Sequence, residues 1–588
     1  MYLNNFLSQN QNNRWGFFCI LLYGLLVGFQ GFDLCDEGWT MTAYQQIFIC
    51  PQSVEYNFLY YVTLLVGGLW EKLFGWGGYL SFRLLTVLVI LCIFYFINRI
   101  LSNISSVKWI VVLGFLLVLF QQDFGILAFH HNYLSALFAS MIACFLYESL
   151  NTNSYKKLFI ASVLIGINIF VRIPNITLIG LLPILFIVDF YYKRSYLSLF
   201  KQIRVSFIGL LSGVIIVLAV MLVFRHFDIF VSSLKNNLFS AASSSTSTHN
   251  LSSMFYTYID NYYQIGKILI IYGTMLFVIT KIVRKYHSAC LYLGAIIIAV
   301  ISFFLVYRLG GIYVLYGISF IVIAYSFYLY RNQPQIVYLL SIALCLSVFM
   351  PLGSDFGIGN MGSFAIWWLI PLCLILYLKI IGTLKSKKLY CFYKLAGVLS
   401  VSGYIMLQLF TILGQCYFDK GSRADKKYCI HSSSLATTLT TKQKAEAVDV
   451  LLIHSANYIK EGDYVLFFQN MATLHYLTRT KPYLYNPWPW TYDADNMERQ
   501  FLRAEKERDT LPVVIREKGV LPGSLWLEEA AGWNREDLPD TYSYKSKKIA
   551  LINQFLKKHD YKLVWENHVF QIWLPRSEEH TSELHHAT

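Results

Sequence analysis

Polar and apolar positions fall in long blocks along this chain, not in the short periods of a soluble fold. Apolar runs of about twenty residues, each long enough to cross a ~30 Å hydrocarbon layer as a helix, are separated by brief polar breaks. Residues 1 to 14 are polar, Asn/Gln-rich and end in Arg14. The run that follows, Trp15 to Phe32, is too long for a signal-peptide core and lacks a small-residue cleavage site, so it reads as a retained span. A loop to about Asn57 then leads into FLYYVTLLVGGLWEKLFGWGG. Its aromatic and Leu positions, broken by Gly67, Gly68, Glu71 and Lys72, predict a helix lying on the membrane surface. Further spans are expected near 80–97, 107–121, 132–150, 157–172, 175–191, 205–224, 264–281, 288–306, 311–329, 335–350, 364–382 and 395–414, about thirteen in all.

The pattern changes after residue 414. Charged residues and Pro become frequent, and no run is long enough to span. YVLFF at Tyr464, VVI at Val513, KLVW at Lys562 and VFQIW at Val569 read as strands, with helical periodicity over Lys442 to Lys460 and Lys547 to Lys558. The expected organisation is an all-α polytopic membrane domain over 1–414, with a first exterior loop at 33–79, and a small exterior α/β or α+β domain over 415–575. Pro487 to Trp490 reads as a rigid aromatic loop. The segment RSEEHTSEL resembles the translation of a sequencing-adapter oligonucleotide, so residues 576–588 are expected to be non-native and their His residues are not read as ligands.

Composition agrees: 56% of the 588 residues are hydrophobic and 14% charged, which excludes an ordinary soluble protein. The net charge of +14 does not indicate a nucleic-acid binder, because the basic residues lie mainly in short loops. Arg99, Lys108, Lys156, Lys157, Lys193, Arg194, Lys201, Arg204, Lys281, Arg284, Lys285, Arg331, Lys385, Lys387, Lys388 and Lys394 fall on the same side as Arg14, which the positive-inside rule makes cytoplasmic. The loops holding Asp36 and Glu37, His130 and His131, residues 225–263, Arg308 and Asp355, and the domain after Cys416, then lie outside. The eleven Cys residues are scattered, with no CxxC and no metal spacing; Cys35 with Cys50, or Cys416 with Cys429, could pair on an oxidising side.

The candidate chemistry centres on DEGWTMTAYQQIF. Two adjacent carboxylates at a membrane face are costly unless they meet a cavity, a partner or water, whereas the plain alternative is a solvated helix start. Two adjacent His at an interface, and the GSDFGIGN loop around Asp355 with backbone N–H groups able to wrap a phosphate, are further candidates.

A first span, DE at the outer face, a loop, a surface helix ending WEKLFG and an Arg (Arg83) entering the next span follow one another in an order that resembles the membrane-embedded GT-C glycosyltransferases, specifically the protein O-mannosyltransferase and aminoarabinose transferase group. The resemblance is clearest over residues 15 to 200. It implies transfer of a monosaccharide from a polyprenyl-phosphate carrier to an exterior protein, lipid or glycan acceptor, in the bacterial inner membrane with the site facing the periplasm. Asp36 would be the general base, and Glu37 would position the acceptor or help Asp36 hold a divalent metal. A departing lipid phosphate needs positive charge, for which Arg172, Arg225, Lys235 and Arg308 are candidates; Arg172 lies in GINIFVRIPNITLIGLLP, similar to a Gly-rich span of the family. Where relatives carry a second Asp, this chain has FHHNYLSALF, so His130, His131 and Asn132, or Asp123 from the loop, would stand in its place, which leaves the metal undecided. Glu55 would be a further ligand or acceptor contact, or else a solvated residue. One base and one leaving-group stabiliser suffice for a single inverting displacement. The rival classes are a flippase for a lipid-linked saccharide, which would place ionisable residues near the midplane, and an O-antigen polymerase or ligase.

Overall fold

The computed structural model of the protein describes residues 2–105, 107, 109–121, 127–186, 196–243, 247, 250–286, 289–417, 419, 421–518, 536 and 545–576. Lys108, Asp123, Lys193, Arg194 and the tail beyond Arg576 lie outside the described residues. The chain begins with α1 (Tyr2–Val27), α2 (Asp36–Gln46), α3 (Tyr61–Phe74), α4 (Gly78–Leu101), α5 (Trp109–Phe120), α6 (His131–Thr152) and α7 (Tyr155–Val171). Among the described residues, eight helical stretches are long and apolar enough to cross a membrane, and shorter apolar helices such as Pro334–Phe349 pack with them. Glu148, paired with both Arg99 and Lys157, shows that two of the basic breaks share one end of the bundle.

Two local features differ from the plain apolar pattern. The first run was expected to continue to Phe32, but α1 stops at Val27, and residues 28–35 fold back as irregular chain with Gly31 at φ +96°. The cause is a demand for backbone carbonyls: those of Gly28 and Gly31 accept from Arg83 of α4. The segment after Arg172 forms a 3-10 helix over Ile173–Leu181, with Pro174 in its first turn. The surface-helix motif forms α3, whose 14 residues rise about 21 Å, too short to cross alone. It is set off from α4 by Gly78 at φ +53°, where a Cβ would fall 2.1 Å from the Ser434 carbonyl oxygen.

After the helix Lys387–Gly414 the chain enters the sheet domain. Strands β1 (Tyr428–Cys429) and β2 (Leu439–Thr440) pair antiparallel; β3 (Tyr464–Phe468), β4 (Lys481–Pro482), β5 (Val513–Glu517), β6 (Lys562–Glu566) and β7 (Phe570–Leu574) form a sheet in the order β4-β3-β5-β7-β6. Pairing is parallel on the β3 side and antiparallel around β7, so the sheet is mixed. All four strands expected from the sequence are present. The helix Ala494–Glu507 was not anticipated, because its polar composition hides a narrow apolar stripe of Met497, Phe501 and Ala504.

The sheet domain and the first loop are built as one piece. Thr473 donates its backbone N–H to the Leu34 carbonyl (3.0 Å) and its hydroxyl to that of Asp33 (2.8 Å). Trp39 donates its indole N–H to Asn486 at 3.0 Å, and Thr42 its hydroxyl to the Ala472 carbonyl. A buried carboxylate, Asp419, accepts the Phe32 N–H and the Thr440 hydroxyl and pairs with Lys426 (3.2 Å) and Lys444 (3.4 Å). Lys444 also donates to the Phe32 carbonyl, closing the joint. Gly38 permits the contact: a Cβ there would lie 1.8 Å from the Thr473 hydroxyl and 2.2 Å from its Cα. Gly38→Ala is therefore expected to unseat α2 from the sheet domain at an overpacking cost of about 1–3 kcal/mol. Amide exchange should accelerate in Thr473–Thr478 and leave His131–Thr152 unchanged; equal protection in both regions would show that the joint tolerates the methyl group.

Candidate active site

The carboxylates of the DE motif divide at once. Glu37 is fully buried, and both of its oxygens are held by Arg83, from Nε at 2.9 Å and from Nη2 at 2.8 Å. Asp36 is half-buried. Its Oδ2 accepts from the Tyr417 hydroxyl at 2.5 Å, and its Oδ1 makes no hydrogen bond among the described residues. Burial pushes the Asp36 carboxyl above the usual carboxylate range, with the Tyr417 hydrogen bond acting the other way.

A third carboxylate, Asp33, escaped the sequence reading. It is fully buried and accepts from the N–H groups of Cys35 and Glu37, both at 2.7 Å, which caps the start of α2. Burial, and after it the neighbouring Asp36 charge, push Asp33 upward, while the two backbone hydrogen bonds oppose the shift. An Asp three residues ahead of a helix-starting Asp-Glu pair was the available signal.

Around Asp36 the fold gathers aromatic rings. His131 stacks on Tyr60 with centroids 4.1 Å apart and planes 20° apart, and Trp39 stands edge-on to both. Tyr56 meets Trp39 on one side and Tyr492 of the sheet domain on the other. Arg172, Asp355 and Asp36 all lie within electrostatic reach of Tyr60, and Arg172 also lies within reach of His131. Three sequence-selected residues, Asp36, Arg172 and Asp355, thus lie within electrostatic reach of the ring on which a fourth, His131, is stacked. Trp39, Tyr56, Tyr60 and Tyr417 were missed as members; aromatic residues are so common here, at 17% of the chain, that none stood out.

Arg172 is 7% exposed. One terminal nitrogen, Nη2, donates to the Gly353 carbonyl at 2.8 Å, while Nη1 is buried without a hydrogen-bond partner. A buried guanidinium donor left open is costly, so it marks a place where an anion would be welcome. Asn132 donates to Asn360 of the GSDFGIGN loop at 2.8 Å, and its own side-chain oxygen is unpaired. His130 caps α6, its ring nitrogen receiving the Asn132 N–H, and packs against Tyr133 and Phe364.

Two expected members sit elsewhere. Glu55, read as a ligand or acceptor contact, is 2% exposed and filled by Arg503 (3.0 and 2.9 Å), Ser232 and Asn236. It is a pin between the first loop, the 225–243 segment and the sheet domain, with no oxygen left to offer. Arg308 is exposed at the end of the helix Ala289–Leu309, over the Phe304 ring, and no contact joins it to the Asp36 group. For a divalent metal, Glu37 is committed to Arg83 and one Asp36 oxygen to Tyr417. Among the described residues no group of three His, Cys, Asp or Glu side chains could hold an ion. Among the described residues the donor set does not fit a metal.

No protein-family model matches the chain, and no curated protein matches it. Among solved structures, it is similar to that of ArnT from Cupriavidus metallidurans bound to undecaprenyl phosphate, at 12% identity and a TM-score of 0.48, over 94% of this chain and 96% of that one.

The Arg83–Glu37 pair is testable as a framework element. Arg83→Met would strand a buried carboxylate and is expected to cost about 3–5 kcal/mol, whereas Arg83→Met combined with Glu37→Leu should recover much of it. Thermal unfolding of the purified protein in detergent measures both, and a double variant no more stable than the single one would contradict this account.

Proposed function

We propose that the protein is a glycosyltransferase that moves a monosaccharide from a polyprenyl-phosphate carrier to an acceptor hydroxyl or amine, with Asp36 as general base. The observation that carries the reading is the placement of a half-buried carboxylate with one open oxygen and a buried guanidinium with one open donor on the same aromatic cluster. Those are the two groups a displacement at an anomeric carbon requires. The acceptor atom loses its proton to Asp36 as it bonds to the anomeric carbon, and the bond from that carbon to the phosphate oxygen breaks with its electron pair, releasing polyprenyl phosphate.

In this reading Arg172 takes the phosphate, because its Nη1 has no other partner and Gly353 fixes the other nitrogen. The Tyr60–His131 stack and Trp39 offer ring faces to a sugar, and Asp355 lies within electrostatic reach of Arg172. Glu37 acts at one remove: held by Arg83, it fixes the first turn of α2 and so the direction of its neighbour. One base and one leaving-group site call for a single displacement, hence inversion. A flippase would need ionisable groups along a path through the bundle, whereas the groups named here gather at the end that carries the sheet domain.

The test is made in cells and in the purified protein. Asp36→Asn should abolish transfer, accumulating a glycosylated polyprenyl phosphate and losing a sugar from a cell-surface glycan, both read by mass spectrometry, with the thermal midpoint unchanged. Arg172→Met should slow turnover about 10²-fold or more, as for loss of one leaving-group stabiliser. Normal glycans and normal carrier lipids in the Asp36→Asn strain would sink the assignment. If Asp36 is the base, activity also falls as pH drops through its raised pKa, so the acidic limb of the rate profile should lie above that of an ordinary carboxylate.

A further inference from the structure

The Asp36 carboxylate has one hydrogen-bonding partner beyond its own helix, and that partner comes from far along the chain. Tyr417 stands three residues past the helix Lys387–Gly414, in the strand of chain that enters the sheet domain. Its hydroxyl donates to Asp36 Oδ2 at 2.5 Å. The segment holding it is fastened on both sides to the loop that precedes Asp36. Cys416 packs on Gly31, Asp419 accepts the Phe32 N–H, and Arg423 donates to the Ile412 carbonyl while its own carbonyl accepts from Gln30. The phenol is therefore fixed relative to the carboxylate by the same joint that seats the sheet domain.

We propose that Tyr417 is the positioning residue of the Asp36 base: by holding Oδ2 it sets the carboxylate rotamer and leaves Oδ1 as the single oxygen able to accept a proton. The role rests on the transferase reading, but the contact itself does not. A carboxylate free to turn about its last bond would offer either oxygen in many directions. One that is pinned by a short charge-assisted hydrogen bond offers a single direction, which is how a base is held ready for a proton. The donor also stabilises the ionised form and so opposes the effect of burial. Other groups around Asp36 do not substitute for it. Asp33, Cys35 and Tyr60 all feel the Asp36 charge, but none of them hydrogen-bonds to its carboxylate, and the neighbouring Glu37 is neutralised by Arg83.

The test titrates Asp36 directly, without a sugar donor. Dicyclohexylcarbodiimide adds to protonated carboxyl groups, so its rate of addition to Asp36 as a function of pH, followed by peptide mass spectrometry with fragment-ion localisation to separate Asp33, reports the ionisation midpoint. The full-length protein in lipid nanodiscs is used, with Asp36→Asn as the blank. Tyr417→Phe is expected to raise the midpoint by about one pH unit, the scale of a lost hydrogen bond to a charged group. Replacement of Tyr417 by a ring-fluorinated tyrosine, a stronger donor of the same shape, is expected to lower it. Opposite shifts from two near-isosteric changes are not what a merely structural contact would produce. The fluorinated residue also keeps the test alive if the Phe variant fails to fold. A midpoint unmoved in both variants overturns the proposal. If the midpoint shifts as expected but Asp36→Asn cells keep normal glycans, the pinned carboxylate stands and the transferase reading falls; if it does not shift and those cells lose a glycan, the reverse holds.

Discussion

Four hydrogen bonds from one side chain organise the first hundred residues. Arg83 lies 4% exposed, with Nε and Nη2 on the two oxygens of Glu37 and Nη1 and Nη2 on the carbonyls of Gly28 and Gly31. A guanidinium cannot be taken out of water without nearly all of its donors being met, since the penalty for a buried charge is several kcal/mol. The chain meets that demand by stopping α1 early. Gly28 and Gly31 turn their carbonyls toward α4 in place of continuing a helix, and Gly31 adopts the left-handed conformation the turn requires. The cap at Asp33 and the start of α2 follow directly on that turn.

The same irregular segment is the seat of the sheet domain. Residues 28–42 are met by α4 on one side and by Thr473, Asn486, Lys444 and Asp419 on the other. A loop between two apolar elements would ordinarily be mobile, because its backbone groups could be satisfied by water alone. Here they are satisfied by protein. The sheet domain therefore does more than sit at the end of the bundle: it supplies Tyr492 to the aromatic cluster and Arg503 to the Glu55 pin, and its entry segment supplies Tyr417 to Asp36.

What could be read from the sequence was whatever has a one-dimensional signature. Helices and strands follow from periodicity, and DE at the end of an apolar run could be singled out because carboxylates are rare there. Arg83 stood out as an Arg entering a span, but nothing in the spacing said that it would take Glu37 and leave Asp36. Glu55 could be read as a further ligand or acceptor contact; only the fold shows that Arg503, 448 residues away, fills it. Tyr417 and Asp36 are 381 residues apart, and a Tyr in a chain with 43 of them carries no mark of its partner. Buried pairings of this kind are properties of the packed state, and residue type alone narrows them little.

The proposed transfer needs Asp36 and Arg172 to remain unpaired with each other. Two opposite charges brought into contact in a poorly solvated pocket would pair, lowering the basicity of the one and occupying the donors of the other. No such ion pair exists among the described residues: Asp36 is held by a neutral phenol and Arg172 by a neutral carbonyl. Both lie within electrostatic reach of Tyr60, which stacks on His131 and meets Trp39 edge-on. The hydrogen-bond partner of each is neutral, and the nearby charge that acts on Arg172 is the Asp355 carboxylate rather than Asp36. In the proposed transfer, a carboxylate and a guanidinium left unpaired with each other would remain able to act on the two ends of one bond, which paired side chains could not do.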